Sequence, residues 1–174
     1  MSAHSFRIAG AADAAALADF MSRNFLATYG HCSSAANIAA TIDKHYGLAA
    51  QQRQVGDPAR VNLLLELDGA IVGHAQMHFD GETPAAVQPL PSGEVSRFYI
   101  DTAFHGRGLA QAMMAKAREL ALERGVRSLW LSCWQQQPQA IRFYEKEGFQ
   151  ITGTLVFEVG DDPKDDWLMV APLA

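Results

Sequence analysis

The sequence predicts a single α/β domain, residues 1–174, built on a mixed β-sheet. Two apolar segments flank Asp68-Gly69 within residues 61–79, and an Asp-Gly dipeptide in this setting is a strong signal for an antiparallel hairpin. Later segments alternate strand, turn and helix patterns, as α/β proteins do. The length fits one domain with one core, and no repeat or linker interrupts the chain.

The first part of the chain is predicted to hold one short strand and three helices. "FRI" near Phe6 is the strand, and "DAAALADFMSRNFLATYG" has the apolar stripe of a helix with Asp13 near its N-cap. Ser33 or Ser34 can cap a second helix that runs to about Tyr46. "LAAQQRQ" predicts a third, short helix before the hairpin.

The second part is predicted to combine strands and helices. After the loop "DGETPAAVQPLPSG", the strand "EVSRFYI" leads to a helix from about Gly108 to Arg124, which Gly125 ends. "SLWLSCW" is a buried strand, and "PQAIRFYEKE" is a helix with Pro138 in its first turn and Gly148 beyond its end. "FQITGTLVFEVG" and "DWLMVAPL" predict a closing hairpin around an acidic turn.

Composition and charge limit the possible functions. No apolar run reaches the roughly 20 residues of a membrane span, and "MSAHSFRIAG" lacks the basic and apolar blocks of a signal peptide. Only Cys32 and Cys133 occur, which favours a cytoplasmic location without a disulfide framework. The net charge of -5, without a basic stripe, makes nucleic acid an unexpected partner and permits a cationic small molecule.

The turn within "AFHGRGLAQAMMAK" raises the question of a ligand. Gly106, Gly108 and Ala110 alternate just before a predicted helix, although glycine destabilises a helix start unless the backbone must bend or be approached closely. The free N–H groups and the positive end of the helix dipole point at the same place. A strand, a glycine turn and a helix start in this order therefore predict a phosphate site.

Two common phosphate-binding turns do not fit this segment. A P-loop requires Gly-Lys followed by Ser or Thr, which is missing here. A dinucleotide-binding turn requires a third glycine where Gln111 stands, and an acidic residue at the end of the next strand, which ends instead in Trp134. Tight packing of the strand against the helix, without a ligand, is the remaining structural explanation.

Two motifs carry a resemblance to a known family. "HGRGLA" resembles the Q/R-x-x-G-x-G/A turn that binds the coenzyme A pyrophosphate in GNAT N-acetyltransferases, and "QPQAIRFYEKEGF" resembles their N-x-x-A-x-x-F-Y-x-x-x-G-F segment. More narrowly, "NFLATY", "VSRFYIDTAFHGRGLA", "SLWLSCW" and "GDDPKDDWLM" are similar to PaiA-type polyamine acetyltransferases. His105 replaces the usual Gln or Arg, and Gln137 replaces the usual Asn. Both substitutes can donate a hydrogen bond.

The resemblance implies a GNAT fold, with a mixed, mostly antiparallel sheet and helices on both faces. It also implies acetyl-CoA as the acetyl donor, without a metal. In this family the strand before the glycine turn splays from its neighbour, so that backbone groups of Phe98 and Ile100 are expected to pair with pantetheine. The residues expected to bind the cofactor are Phe98, Tyr99, Ile100, His105, Gly106, Arg107, Gly108, Leu109, Ala110, Gln111, Gln137 and Tyr144.

Transfer of an acetyl group to an amine also needs an acid and a base. Tyr144 falls on the family's tyrosine, which donates a hydrogen bond to the departing sulfur; its structural alternative is packing at the end of a helix. An alkylamine is mostly charged at neutral pH and must lose a proton before it attacks. Glu94 is the candidate base, either directly or through water, and the alternative is a solvated glutamate.

The acceptor is the least determined part of the prediction. Tyr29, His31, Asp43 and Tyr46, around the connection between the first two helices, are the candidates to line its site. A polyamine or related small amine is the leading substrate, and a homodimer is compatible with the resemblance. The alternatives are acetylation of a protein N-terminus or lysine, and a non-catalytic module that binds acetyl-CoA.

Other chemically suggestive residues are interpreted as structural. His74 and His78 lie in a predicted strand, where four residues span about 13 Å, so no metal is expected. Cys133 has no identifiable base beside it and is typical of a buried thiol. Four acidic residues around Pro163 are interpreted as a solvated turn: Asp161, Asp162, Asp165 and Asp166.

Overall fold

The computed structural model describes residues 4–173, which form one seven-stranded sheet with helices on both faces. The strands are β1 (His4–Ile8), β2 (Arg60–Leu67), β3 (Ala70–His78), β4 (Ser92–Ile100), β5 (Ser128–Trp134), β6 (Gln150–Val159) and β7 (Asp162–Pro172). The helices are α1 (Ala14–Tyr29), α2 (Ala35–His45), α3 (Leu48–Val55), α4 (Leu109–Glu123) and α5 (Pro138–Lys146). The predicted order of strands and helices is confirmed.

The sheet is mixed and mostly antiparallel, as predicted. Its strand order is β1-β2-β3-β4-β5-β7-β6, and only β4 and β5 run parallel. On one face, Met113 and Met114 of α4 lie in apolar clusters with residues of the central strands. On the other face, Phe20 and Phe25 of α1 pack with Ile38 of α2. Both faces are therefore covered, and each contributes its own core.

The two central strands separate after a short paired segment. β4 pairs with β5 only from Ser92 to Glu94, opposite Ser128 to Trp130. Beyond that point β4 continues along β3 to Ile100, while β5 continues along β7 to Trp134. The splay that the family resemblance implied is thus present, and Glu94 lies at its apex.

A β-bulge in β4 changes which side chains share a face. Gln76 of β3 lies opposite Arg97, and Met77 lies opposite Val95, so that Ser96 is an extra residue in β4. The Ser96 hydroxyl donates to the Gln76 backbone carbonyl at 3.2 Å. Because of this insertion, the side chains of Glu94 and Arg97 lie on the same face of the sheet.

The structure confirms the predicted helix and turn signals at the first two helices and at the hairpin. The Ser34 hydroxyl caps α2 by accepting the Asn37 N–H, and the left-handed Asp68-Gly69 pair forms the hairpin turn. Asp13 is the N-cap residue of α1, as predicted, although its side chain makes no capping hydrogen bond to this helix. Its carboxylate instead accepts the Gly10 N–H at 2.7 Å and both terminal nitrogens of Arg7, which offers a stronger, bidentate partner.

The interpretation of the acidic cluster as a solvated turn holds for Asp161, which is exposed in the turn, and is wrong for Asp162 and Asp166. β7 already begins at Asp162, whose carboxylate accepts the Ser33 hydroxyl at 2.6 Å, and Asp161 accepts the Asn37 amide at 2.8 Å. Asp166 is buried within β7 and only 6% exposed. The reason is tertiary: α2 packs over the end of this hairpin and supplies partners that the local sequence does not show.

Candidate active site

A cavity of about 750 Å³ passes through the gap between β4 and β5. Its walls come from both faces of the sheet, because the splayed strands no longer close the gap with backbone hydrogen bonds. The glycine turn and α5 form one side, which we call the donor side. α1, the end of α2 and the polar residues of β3 and β4 form the other, which we call the acceptor side. Two molecules could meet within this cavity.

The donor side begins with the glycine turn. Gly106 and Gly108 have φ values of 75° and 76°, in the left-handed region, and a Cβ added to either would meet nothing within 4 Å. Gly108 is the N-cap of α4 and provides no side chain to cap it. The backbone N–H groups of the first turn, including those of Leu109 and Ala110, are therefore open to an anion.

His105 makes a contact that the sequence did not indicate. Its Nε2 donates to the Ile100 backbone carbonyl at 2.9 Å, so that the ring ties the start of the turn to the end of β4. Two residues that were each expected to face the cofactor thus contact one another. The His105 imidazole therefore holds the turn in place, and the Ile100 carbonyl already accepts a hydrogen bond within the protein.

Tyr144 is held by aromatic packing on the donor side. Its ring centroid lies 6.2 Å from that of Phe98, 5.3 Å from Phe143 and 5.7 Å from Phe149, all in edge-to-face arrangements. Burial raises the pKa of the Tyr144 phenol. The hydroxyl therefore stays protonated at neutral pH and can act as a hydrogen-bond donor in the cavity.

Glu94 lies on the acceptor side, at the point where the strands separate. It is opposite His78 of β3 and Trp130 of β5. Burial raises the pKa of its carboxyl above the usual value of 4.5, while His78, Arg60 and Arg97 oppose that rise. Because its pKa is raised, this carboxylate is a stronger base than a free one.

Arg97 reaches into the acceptor side from the other end of the bulge. Its guanidinium lies 4.6 Å from the centroid of the Tyr46 ring and donates to the His45 backbone carbonyl at 3.0 Å. It also donates to the side-chain oxygen of Gln54. Burial lowers the pKa of Arg97, and the positive charge of Arg60 adds to this effect, while Tyr46 and Tyr99 oppose it.

Asp166 contributes a second carboxyl group to the cavity. Its Oδ1 is buried and has no hydrogen-bond partner among residues 4–173. Burial raises the pKa of this carboxyl from 3.8 to about 6, and a hydrogen bond from Ser132 opposes the rise. The acceptor side therefore holds two carboxyl groups whose surroundings make both of them more basic than usual.

The structure brings most of the predicted site residues together around the cavity. The predicted residues that line it are Tyr29, Tyr46, Glu94, Phe98, Tyr99, Ile100, His105, Gly106, Gly108, Leu109, Ala110, Gln111, Gln137 and Tyr144. The Tyr99 side chain packs with the α1–α2 cluster and therefore faces the acceptor side. Its expected place among the donor-side contacts is not supported by this orientation.

Three predicted residues do not line the cavity. Asp43 is exposed on α2, because only one stripe of this helix packs against the sheet. His31 lies in a separate, smaller depression beside Trp134. Arg107 is exposed, with its guanidinium 5.1 Å from the centroid of the Phe104 ring. The adjacent glycines, rather than the Arg107 side chain, face the cavity.

Sequence reasoning missed seven charged or titratable residues of the cavity: His45, Arg60, His78, Arg97, Cys133, Lys164 and Asp166. A charged residue inside an otherwise apolar strand, as in "EVSRFYI", is a signal that could have indicated Arg97. The regular two-residue period of a strand, however, would place Glu94 and Arg97 on opposite faces. Their actual arrangement depends on the bulge, which the sequence pattern does not reveal.

The two histidines of β3 have different surroundings. His74 is fully buried and contacts the Asn62 side-chain oxygen at 3.0 Å and the Met21 sulfur at 3.0 Å. Burial lowers the pKa of His74 to about 3, so the ring stays neutral in the core. Within residues 4–173, no group of three or more His, Cys, Asp or Glu side chains is arranged to hold a metal ion. No helix in this part of the chain is long and apolar enough to cross a membrane.

The comparisons with known proteins agree with this geometry. The family model "Acetyltransferase (GNAT) family" matches residues 17–149. An uncharacterized N-acetyltransferase of Mycobacterium bovis is 32% identical over 161 residues, which are 92% of this chain and 98% of that protein. A crystal structure of a PaiA N-acetyltransferase from Thermoplasma acidophilum in complex with coenzyme A has a TM-score of 0.77 at 16% identity and covers 98% of this chain and 99% of its own. This likeness shows the fold.

A more distant relative has a named substrate. A spermine/spermidine N(1)-acetyltransferase of Bacillus subtilis is 33% identical over 96 residues. The match covers 53% of this chain and 61% of that protein.

Proposed function

This chain belongs to the acetyltransferase (GNAT) family, and we propose that it transfers the acetyl group of acetyl-CoA to a primary amine of a small molecule. The single-domain α/β GNAT fold and the N-acetyltransferase class follow from the family. The observation that carries the proposal is the cavity through the splayed strands, which connects an open helix N-terminus to a buried carboxylate at Glu94.

The donor side suits the phosphates and the thioester of acetyl-CoA. The glycine cradle leaves room for a pyrophosphate, and the α4 N–H groups and helix dipole would stabilise its charge. The unpaired edge of β4 can bind the pantetheine arm. Tyr144 would donate its hydroxyl proton toward the sulfur, which lowers the cost of thiolate departure.

The acceptor side would prepare the amine. Glu94 takes a proton from the ammonium form, directly or through water, and the neutral nitrogen then attacks the acetyl carbon. The new carbon–nitrogen bond forms and the carbon–sulfur bond breaks. The sulfur leaves as the free thiol with the proton of Tyr144, and the second proton that the nitrogen loses restores the Tyr144 hydroxyl. A backbone N–H of β4 would stabilise the negative charge that develops on the carbonyl oxygen.

Polyamines are one acceptor class that fits this proposal. The sequence similarity to the Bacillus subtilis relative supports them, as do the net charge of -5 and the carboxyl groups of Glu94 and Asp166. A protein N-terminus or lysine is the alternative acceptor.

A coupled binding and activity experiment tests the proposed function. Acetyl-CoA should raise the melting temperature, and release of free thiol should require an amine from a panel of spermidine, spermine, aminoglycosides, amino acids and N-terminal peptides. A protein that binds acetyl-CoA but releases no thiol with any amine would be a binding module. A melting temperature that does not change with millimolar acetyl-CoA would contradict the donor assignment itself.

A further inference from the structure

Arg97 differs in its ionic contacts from several other arginines of this protein. Arg7, Arg23 and Arg60 each have a carboxylate within 4.0 Å. Among residues 4–173, no Asp or Glu carboxylate lies within that distance of Arg97. The difference matters because Arg97 is partly buried in the wall of the cavity, where water screens its charge less than at the surface.

The partners of Arg97 are all neutral. One terminal nitrogen donates to the His45 carbonyl, the other donates to the Gln54 side chain, and the guanidinium faces the Tyr46 ring. These contacts fix the orientation of the group but do not compensate its charge. A buried cation held by neutral partners costs folding free energy, and an anion that enters the cavity would recover part of it. Arg97 is therefore preorganised for a negative group.

The position of Arg97 relative to Glu94 indicates which kind of molecule would carry that negative group. The bulge at Ser96 brings both side chains to the same face, opposite Gln76 and His78 of β3, and both line the cavity. Neighbouring residues on one face of a strand lie about 7 Å apart. A molecule whose amine lies at Glu94 would therefore present a second group, only a few bonds away, to Arg97.

We infer that the acceptor is a primary amine that also carries a carboxylate, as an amino acid does, and that the Arg97 guanidinium binds this carboxylate. The inference rests on the proposed function and specifies its acceptor. A planar guanidinium is well suited to a carboxylate, which can accept two of its N–H groups. A polyamine has only cationic groups, and one of them would lie against Arg97.

Matched pairs of acceptors that differ only in the carboxylate test the inference. Ornithine and putrescine form one pair, and methionine and 3-(methylthio)propylamine form another. We expect kcat/KM to be about tenfold to 100-fold higher for the amino acid of at least one pair, which is the usual effect of a hydrogen bond to a charged group. Stabilisation of the CoA complex by the same four compounds gives a binding measurement that does not require turnover.

Variants of Arg97 test whether this side chain causes the preference for the amino acid of each pair. Arg97→Gln should bring the ratio of kcat/KM within each pair close to one, mainly through a higher KM for the amino acid, with the KM for acetyl-CoA unchanged. Arg97→Lys, which keeps the charge, should retain part of the preference. Arg23→Gln, which removes a charge from α1 outside the cavity, should leave the ratio as in the wild type. A merely structural role for Arg97 would lower both members of a pair equally.

The outcomes separate this inference from the proposed function. Equal or better use of the decarboxylated amines, or of polyamines, overturns the inference while the acetyltransferase proposal stands. An unchanged ratio in Arg97→Gln overturns it as well. If no amine promotes thiol release and acetyl-CoA does not raise the melting temperature, the proposed function fails, and the inference fails with it.

Discussion

The donor and acceptor sides of the cavity are built in different ways. The donor side combines the glycine turn, residues 105–111, with α5, and offers backbone N–H groups, two left-handed glycines and the aromatic cluster around Tyr144. The acceptor side combines side chains from α1, α2, β2, β3, β4 and β7, several of them charged or titratable. One side thus depends on main-chain geometry and the other on side-chain chemistry.

This difference indicates how the two sides respond to sequence change. Backbone groups recognise phosphate and thioester whatever the neighbouring side chains are, provided that the turn keeps its shape. Recognition of the acceptor depends on a few side chains such as Arg97, Glu94 and Asp166, and each can change without disturbing the fold of the turn. We therefore expect donor-side variants to abolish cofactor binding and acceptor-side variants to change selectivity.

The largest effect is expected at the glycine turn. Gly108→Val places a branched side chain in the space in front of α4, at a φ of 76°. We expect it to abolish the stabilisation by acetyl-CoA, which at 100 times Kd is about 2.7 kcal/mol for the wild type. The measurement is the melting temperature with and without acetyl-CoA.

Gly125→Val provides a matched control at the other end of α4. Gly125 has a φ of 73° and equally open surroundings, but it does not line the cavity. This variant should have a similar conformational cost and keep its response to acetyl-CoA. Loss of the response in both variants would mean that strain, rather than occupation of the phosphate site, explains the effect.

Tyr144→Phe tests the chemistry of the donor side. The ring and its aromatic contacts remain, while the hydroxyl is removed. We expect kcat to fall about 100-fold, which is the low end for general acid catalysis, with little change in the stabilisation by acetyl-CoA. Steady-state rates and melting temperatures measure the two effects. If the chemical step limits turnover and kcat is unchanged, Tyr144 has only a packing role.

Asp166→Asn tests how much the burial of a carboxylate on the acceptor side lowers the stability of the folded protein. Because its folded pKa of about 6 exceeds the usual 3.8, Asp166 binds its proton more tightly in the folded protein. The contribution of this proton binding to the free energy of unfolding is therefore complete below about pH 4, and it is lost as the pH rises through 6. We expect Asp166→Asn to raise the free energy of unfolding at pH 7 by about 3 kcal/mol, with a much smaller gain at pH 4.

Urea unfolding at the two pH values measures this effect. Asp165→Asn is the control, since Asp165 is an exposed carboxylate on the same strand. A loss of stability in Asp166→Asn that is larger at pH 7 than at pH 4 would instead show that Asp166 makes a stabilising contact in its ionised form.

The smallest of these effects is expected for Glu94→Gln. This change keeps the shape of the side chain and removes its basicity. We expect kcat/KM for the amine to fall about tenfold at neutral pH, and the deficit to shrink at high pH, where more of the amine is already neutral. Initial rates between pH 6 and 9, with exposed Glu82→Gln as the control, provide the measurement. A deficit that does not depend on pH would indicate that Glu94 binds the amine without accepting its proton.

Much of the fold could be predicted because its signals are local. The Asp68-Gly69 turn, the Ser34 cap and the apolar stripe of α1 each act within a few residues, and the structure confirms them. The parts that were predicted incorrectly have partners distant in sequence. The Asp162 carboxylate accepts the Ser33 hydroxyl, 129 residues away in the sequence, and Asp166 is buried within the sheet.

The sequence by itself determined the donor side, because a glycine turn and a helix start lie within one short segment and backbone conformation follows from neighbouring residues. Only the tertiary structure decided the acceptor side. The bulge at Ser96 changes the face of every later residue in β4 relative to Glu94, and it depends on pairing with β3. The strands and helices that surround Arg97 and Asp166 are distant in sequence. They determine how far each group is removed from water, and this desolvation sets the electrostatic properties of both groups.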